Sequence, residues 1–224
     1  AALRAWDAGW AFYAGSLEGA AAGNSSTVGV MIYKLASMRC ADFGTCANGT
    51  TGVAKANLKH LALARNGRDK ILAGECHTVV EEFDAIVDQM TIPLIQGMLK
   101  YAYESDPAAG VVTCPGDDCD KKLAEGWAFA AAVLPRLNYC DSSVAKLVKD
   151  NLDVTAIAGA TTQGNSQMTD GHAKLKTEVE MPSAPLRCFE VAVLKSVPVL
   201  GHTRRLLAEY TIQLLVHSNP TFPS

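Results

Sequence analysis

The feature that most constrains this fold is a long apolar period. From Cys76 to Glu104, residues Val80, Phe83, Val87, Met90, Leu94, Gly97 and Tyr101 recur at three- and four-residue intervals. That spacing is one face of an α-helix. Pro93 falls inside the run and predicts a kink there. The same period covers most of the chain. A first helix is expected over Leu3–Glu18, with Leu3, Trp6, Trp10, Tyr13 and Leu17 on one stripe. Further helices are expected over Val28–Met38, over Val53–Ala73 with a stop at Gly74, and over Asp118–Leu137. Ser142–Leu152 reads as a short helix capped by Ser142. Residues 153–185, rich in Thr, Gly, Ser and Gln, read as an irregular, mobile excursion. Leu186–Val197 and Leu200–His217 read as helix again, broken at Pro198. An all-α helical bundle of at least six helices without a large sheet is expected.

One short motif occurs twice. Gly9-Trp10-Ala11-Phe12 returns 117 residues later as Gly126-Trp127-Ala128-Phe129, each with a carboxylate upstream, Asp7 and Glu125. A weaker echo relates Ile92-Pro93-Leu94-Ile95 to Val197-Pro198-Val199-Leu200, and aligns Lys100 with Arg205 and Glu104 with Glu209. The chain therefore reads as one helical domain, 1–224, built from two related halves, 1–110 and 118–217, in a tandem pseudo-repeat.

Composition sets the compartment and excludes some functions. The 224 residues are 49% hydrophobic and 19% charged, which supports a substantial core. A net charge of −3 without a basic run argues against a nucleic-acid partner. No apolar stretch reaches the ~20 residues of a membrane span. The first residue is Ala1 rather than methionine, which is expected of a processed N-terminus. Seven cysteines include two short loops, Cys40–Cys46 and Cys114–Cys119. Neither has zinc-site spacing, and both are expected to close as local disulfides in an oxidising compartment. Asn24 and Asn48 each begin a glycosylation sequon. Together these features predict a secreted protein.

The search for chemistry returns acids rather than a catalytic motif. There is no HExxH, Glu-x-x-His, GxSxG, Walker loop or GxGxxG, so an enzyme is not expected. Asp7 and Glu18 share a helical face with the small residues Ala11 and Ala14 between them. They lie roughly 16 Å apart and suit either a ligand site with its supporting group or a solvated surface. His77, Glu81, Asp84 and Asp88 form an acidic stripe that equally suits solvent. Gln89, Gln96 and Tyr103 form a polar line through the most apolar part of the fourth helix. Buried, hydrogen-bonded side chains and a functional line both fit it.

Several segments carry a family resemblance. Residues Trp6 to Gly19, WDAGWAFYAGSLEG, resemble the signature of the algal iron-assimilating, low-iron-inducible periplasmic proteins, relatives of the phytotransferrins. In the same order follow Arg39–Cys46, Gly67-Arg68-Asp69, Pro93–Gly97 with Tyr101-Ala102-Tyr103, and Ala124–Phe129 with Val133-Leu134-Pro135. The resemblance covers most of residues 1–152 and is much weaker beyond. It implies ferric-iron binding outside the cell, by hard oxygen ligands with a synergistic carbonate, and delivery to a cell-surface reductase or transporter. Asp7, Tyr13, Glu18, Asp88, Tyr103 and Glu125 supply oxygen donors of that kind. Asp7 and Glu125 are expected to meet where the two GWAF helices share a core of Trp10 and Trp127. Ala11, Ala14, Ala128 and Ala132 would allow that approach. A secreted structural or cell-surface glycoprotein without metal is the competing expectation.

Overall fold

The computed structural model describes residues 2–15, 31–109, 117–154, 168 and 170–180, with backbone alone at 107 and 117–120. Among them the chain is all-α, with seven α-helices and no strand beyond two isolated bridges. The helices are α1 (Ala2–Ala14), α2 (Ile32–Phe43), α3 (Lys55–Leu72), α4 (Val79–Ser105), α5 (Asp117–Cys140), α6 (Ser142–Leu152) and α7 (Gly171–Glu180).

Helix α4 is the central element and packs against α2, α3, α5 and α7. It is half surface and half core. Val80 and Phe83, on the expected apolar stripe, are exposed, whereas Ile92 through Leu99 is almost wholly buried. The expected stripe therefore holds only where other helices surround α4. The helix continues through Pro93. Gln89 and Gln96 are buried, and Gln96 Nε2 donates to Thr45 Oγ1 at 3.2 Å. The polar line is thus buried at these two positions, with a hydrogen-bond partner at Gln96.

The main core joins α4, α5, α6 and α7 through Met98, Leu99, Ala130, Val133, Val148, Leu152 and Leu175, with Phe43 of α2 inserted. Each buried aliphatic side chain here contributes roughly 1.5–3 kcal/mol of transfer free energy. A separate aromatic cluster of Tyr13 and Tyr33, with Trp10 packed on it, holds α1 to α2.

Local signals explain most of the boundaries. α2 runs past the expected end at Met38 and stops at Gly44, whose φ of +64° caps the helix. α3 is followed by Gly74 at φ +80°. The N-cap of α6 is Asp141 rather than Ser142. Its carboxylate accepts from the Ser143 and Val144 amides, placing a charged acceptor at the positive end of the helix. The expected excursion contains α7, which is a correction. Leu175 is fully buried and Val179 packs on the main core. Two apolar residues four apart in a polar stretch are too few to show a period. The packing partner, α4, supplies what local sequence lacks. The helices expected over 186–197 and 200–217 lie outside the described residues.

The first cysteine loop closes as expected. Cys40 and Cys46 form a disulfide with Cα atoms 4.8 Å apart. The loop beyond it folds back, with Cys46 bridging to Gly49 and Ala54, and leaves Asn48 exposed. The Cys114–Cys119 pairing lies outside the described residues.

Candidate functional site

The expected oxygen donors fall at separate places. Asp7 on α1 pairs with Arg68 of α3 at 3.4 Å, both half-exposed. Asp88 on α4 is held by Arg136 of α5. Tyr103 meets the His172 ring edge-on, 5.0 Å between centroids. Tyr13 is fully buried in the α1–α3 interface. Glu18 and the sequon at Asn24 lie outside the described residues. Trp10 and Trp127 belong to different clusters, one on α1–α2 and one on the main core. Of the four alanines expected to allow close helix approach, Ala14 is buried, while Ala11, Ala128 and Ala132 are exposed. The stripe of His77, Glu81 and Asp84 is exposed, as a solvated face would be.

Glu125 is placed differently. It sits half-buried on α5 and acts electrostatically on the Tyr101 phenol of α4. Burial raises the phenol's pKa first, and the neighbouring Glu125 raises it further. Arg39 of α2 lies with its guanidinium 6.0 Å from the Tyr101 ring centre and opposes that rise. Arg39 is only 6% exposed. Its Nη1 lies 3.0 Å from Asp42 as an ion pair without hydrogen-bond alignment, and its Nε has no partner. Glu104, one turn from Tyr101, is bridged by Lys100 and by Lys122 of α5, the latter at 3.3 Å. Burial works against its ionisation, but the two lysines outweigh burial and hold its pKa below the usual carboxylate value.

Backbone approach builds this junction. Gly97 faces Phe129, and an added Cβ there would lie 2.9 Å from the ring. Phe129 can therefore stack on Tyr101, 5.7 Å between centroids and 12° between planes. A signal for Tyr101 was present in the sequence. It lies one turn after Gly97, on the face that meets the second GWAF helix, whereas Tyr103 is on another face.

A second polar cluster lies under α1. Tyr13 donates to Asn57 Oδ1 at 2.5 Å, and Asn57 Nδ2 donates to the Tyr33 carbonyl and Ser37 Oγ at 3.0 Å each. Asn57 thus ties three helices. His60 stacks on Tyr13 with 3.6 Å between centroids, and its Nδ1 has no partner. Burial lowers the His60 pKa to about 4 and pushes the Tyr13 phenol up, with Tyr33 adding to the rise. Sequence reasoning singled out neither Asn57 nor His60. Nothing local distinguishes either residue before α1 and α3 meet.

No group of three or more His, Cys, Asp or Glu side chains poised for a metal occurs among the described residues. A phenol–carboxylate pair falls outside that description. Comparison with known proteins finds no matching family model, no matching curated protein and no matching solved structure.

Proposed function

We propose that this chain is a secreted or periplasmic binding protein, not an enzyme, that sequesters ferric iron for assimilation by an algal cell. The observation that carries the reading is the Tyr101–Glu125 pair. Both residues lie in segments that resemble the algal iron-assimilating proteins. They are hard oxygen donors, and the Glu125 carboxylate is close enough to raise the Tyr101 phenol's pKa. Ferric iron would take the place of the phenol proton, releasing it, and would be held by phenolate and carboxylate. The buried Arg39 beside them is a fixed positive charge suited to a small oxyanion such as carbonate accompanying the metal. The iron is cargo here, passed on to a cell-surface reductase or transporter. The Cys40–Cys46 disulfide and the exposed Asn48 sequon fit an oxidising compartment.

The test is a ferric titration in bicarbonate buffer, read by the visible phenolate-to-iron charge-transfer band. Tyr101→Phe should remove the band and Glu125→Gln should weaken binding at least tenfold, about 1.4 kcal/mol. Tyr103→Phe should leave the band intact. An unchanged band in Tyr101→Phe would remove the pair from the site.

One observation favours a second reading, a surface glycoprotein without metal. Asp7, Asp88 and Glu104 all have basic partners, as structural acids do. Absence of ferric binding by the glycosylated protein would favour it.

A further inference from the structure

The sequence holds two Asn-Gly pairs, Asn48-Gly49 and Asn66-Gly67, and the fold gives them opposite settings. Asn-Gly is the dipeptide most open to attack by its own backbone nitrogen on the asparagine side chain, because glycine has no Cβ to block the approach. Asn66 lies inside α3. There the helical backbone, with ψ about −42°, holds the Asn66 amide away from the Gly67 nitrogen, and that N–H is engaged in the helical ladder. Gly67 is also buried under the Trp6 ring. Asn48 instead stands in the exposed loop 47–53, just beyond the Cys40–Cys46 disulfide. Gly49 has φ +80°, and its N–H donates to the Cys46 carbonyl at 3.1 Å across a single turn. No hydrogen bond among the described residues holds the Asn48 side-chain amide, whose nitrogen lies beside Gly52. Opening one turn bond therefore frees the attacking nitrogen without disturbing the core, and exposed loops open locally at small cost.

We propose that Asn48 is a modification site with two exclusive fates: spontaneous conversion to aspartate and isoaspartate, and an N-linked glycan that blocks the conversion. In the conversion the Gly49 nitrogen attacks Asn48 Cγ. The Cγ–Nδ2 bond breaks, Nδ2 departs as ammonia with the proton from the Gly49 nitrogen, and a succinimide ring remains. Water opens the ring at either carbonyl, so the net change is amide plus water to carboxylate plus ammonium. Opening at the backbone carbonyl gives isoaspartate, which routes the main chain through the side chain and lengthens it by a methylene. That lengthening falls in a loop tied by Cys46 N–H to the Gly49 carbonyl at 2.9 Å and by Asn48 N–H to the Thr51 carbonyl at 3.0 Å. Beside it is Thr45, the hydrogen-bond partner of Gln96 on α4. Nδ2 is also the glycan acceptor of the Asn48-Gly49-Thr50 sequon, and Thr50 is exposed too. A sugar on Nδ2 crowds Cγ and turns the leaving group into a bulky glycosylamine, so the amide persists. The glycan arm rests on the secreted reading proposed above, whereas the conversion does not.

The experiment uses the full wild-type chain from two sources, a bacterial periplasm that forms disulfides without adding this sugar and a glycosylating secretory host. Both are incubated at mildly alkaline pH. Peptide mapping by mass spectrometry reads amide-to-acid conversion at each asparagine, and enzymatic carboxyl methylation marks isoaspartate. In the bacterial protein Asn48 should convert, mostly to isoaspartate, while Asn66 in the same digest converts roughly tenfold more slowly or less. Equal rates in the folded chain overturn the conversion site. In urea the two rates should converge, and a gap that persists there overturns the fold as its cause. The secreted protein should carry a sugar on Asn48 and keep its amide. A bare Asn48 overturns the glycan arm, and conversion of the sugar-bearing residue at the bacterial protein's rate overturns protection. Thr50→Ala from the secretory host should lose the sugar and convert as the bacterial protein does; an unconverted, sugar-free Asn48 in that variant counts against the proposal as well. No readout involves iron, so failure here is distinct from failure of the ferric titration, and the wild-type comparison stands whether or not the variant folds.

Discussion

The two GWAF helices share four residues and are used in different ways. In α5, Phe129 lies over Gly97 and stacks on Tyr101, while Trp127 packs on the main core. In α1 the matching Phe12 is 76% exposed, and Trp10 joins a smaller cluster of Tyr13, Tyr33 and His60. Both helices dock by setting an aromatic ring on a neighbour's glycine, but from different registers. In α1 the ring is Trp6 over Gly67, with the indole N–H donating to the Ala64 carbonyl at 2.7 Å. The upstream acids differ too. Asp7 pairs with an arginine at the surface, whereas Glu125 pairs with a phenol in the junction. A shared motif therefore does not dictate a shared environment. The flanking helices decide which face is buried.

The largest test of this contrast is the matched substitution of the two phenylalanines. Phe129→Ala should cost about 3 kcal/mol through lost burial and a cavity over Gly97. Phe12→Ala should stay within about 0.5 kcal/mol. Chemical denaturation of both variants reads the difference, and similar losses would mean that the two copies pack alike.

The α1 cluster should also respond to acid, through His60. Its folded pKa, about 4, lies below the ordinary value of 6.5. The unfolded chain therefore binds more protons between those values, and stability falls as pH drops through that window. The contribution is complete above pH ~6.5 and at most about 3 kcal/mol. Urea unfolding at several pH values should show this slope in wild type and a shallower one in His60→Phe, which keeps the ring stack. Equal slopes would place the titration elsewhere.

Gly67→Ala should cost about 2 kcal/mol, because a Cβ overlaps the Trp6 ring. Faster hydrogen exchange confined to α1 would show that the loss is undocking of that helix. Uniform acceleration would instead join α1 to the main cooperative unit. The smallest effect is expected from Asp7→Asn. Removing a half-exposed ion pair should change stability by no more than about 0.5 kcal/mol. Ferric affinity should also be retained, in contrast to Glu125→Gln. Equal loss of iron binding in both variants would bring Asp7 into the site.

The sequence by itself determined six of the seven α-helices among the described residues and several of their ends. Turn-by-turn periodicity and backbone hydrogen bonds are local, so α1, α3, α5 and α6 were legible to within a few residues. Gly74 marked a stop, and Cys40 and Cys46 were close enough in sequence to name each other. Tertiary structure decided what each helix touches. It buried the second half of α4 and exposed Val80 and Phe83 on the same stripe. It made a helix of 171–180 by burying Leu175. It chose Tyr101 rather than Tyr103 as the partner of Glu125, 24 residues away, and Asn57 as the hub of three helices. Such pairings depend on the rotation and approach of whole helices. Those are set by close-packed contacts among residues far apart in the chain, and a local pattern carries no record of them.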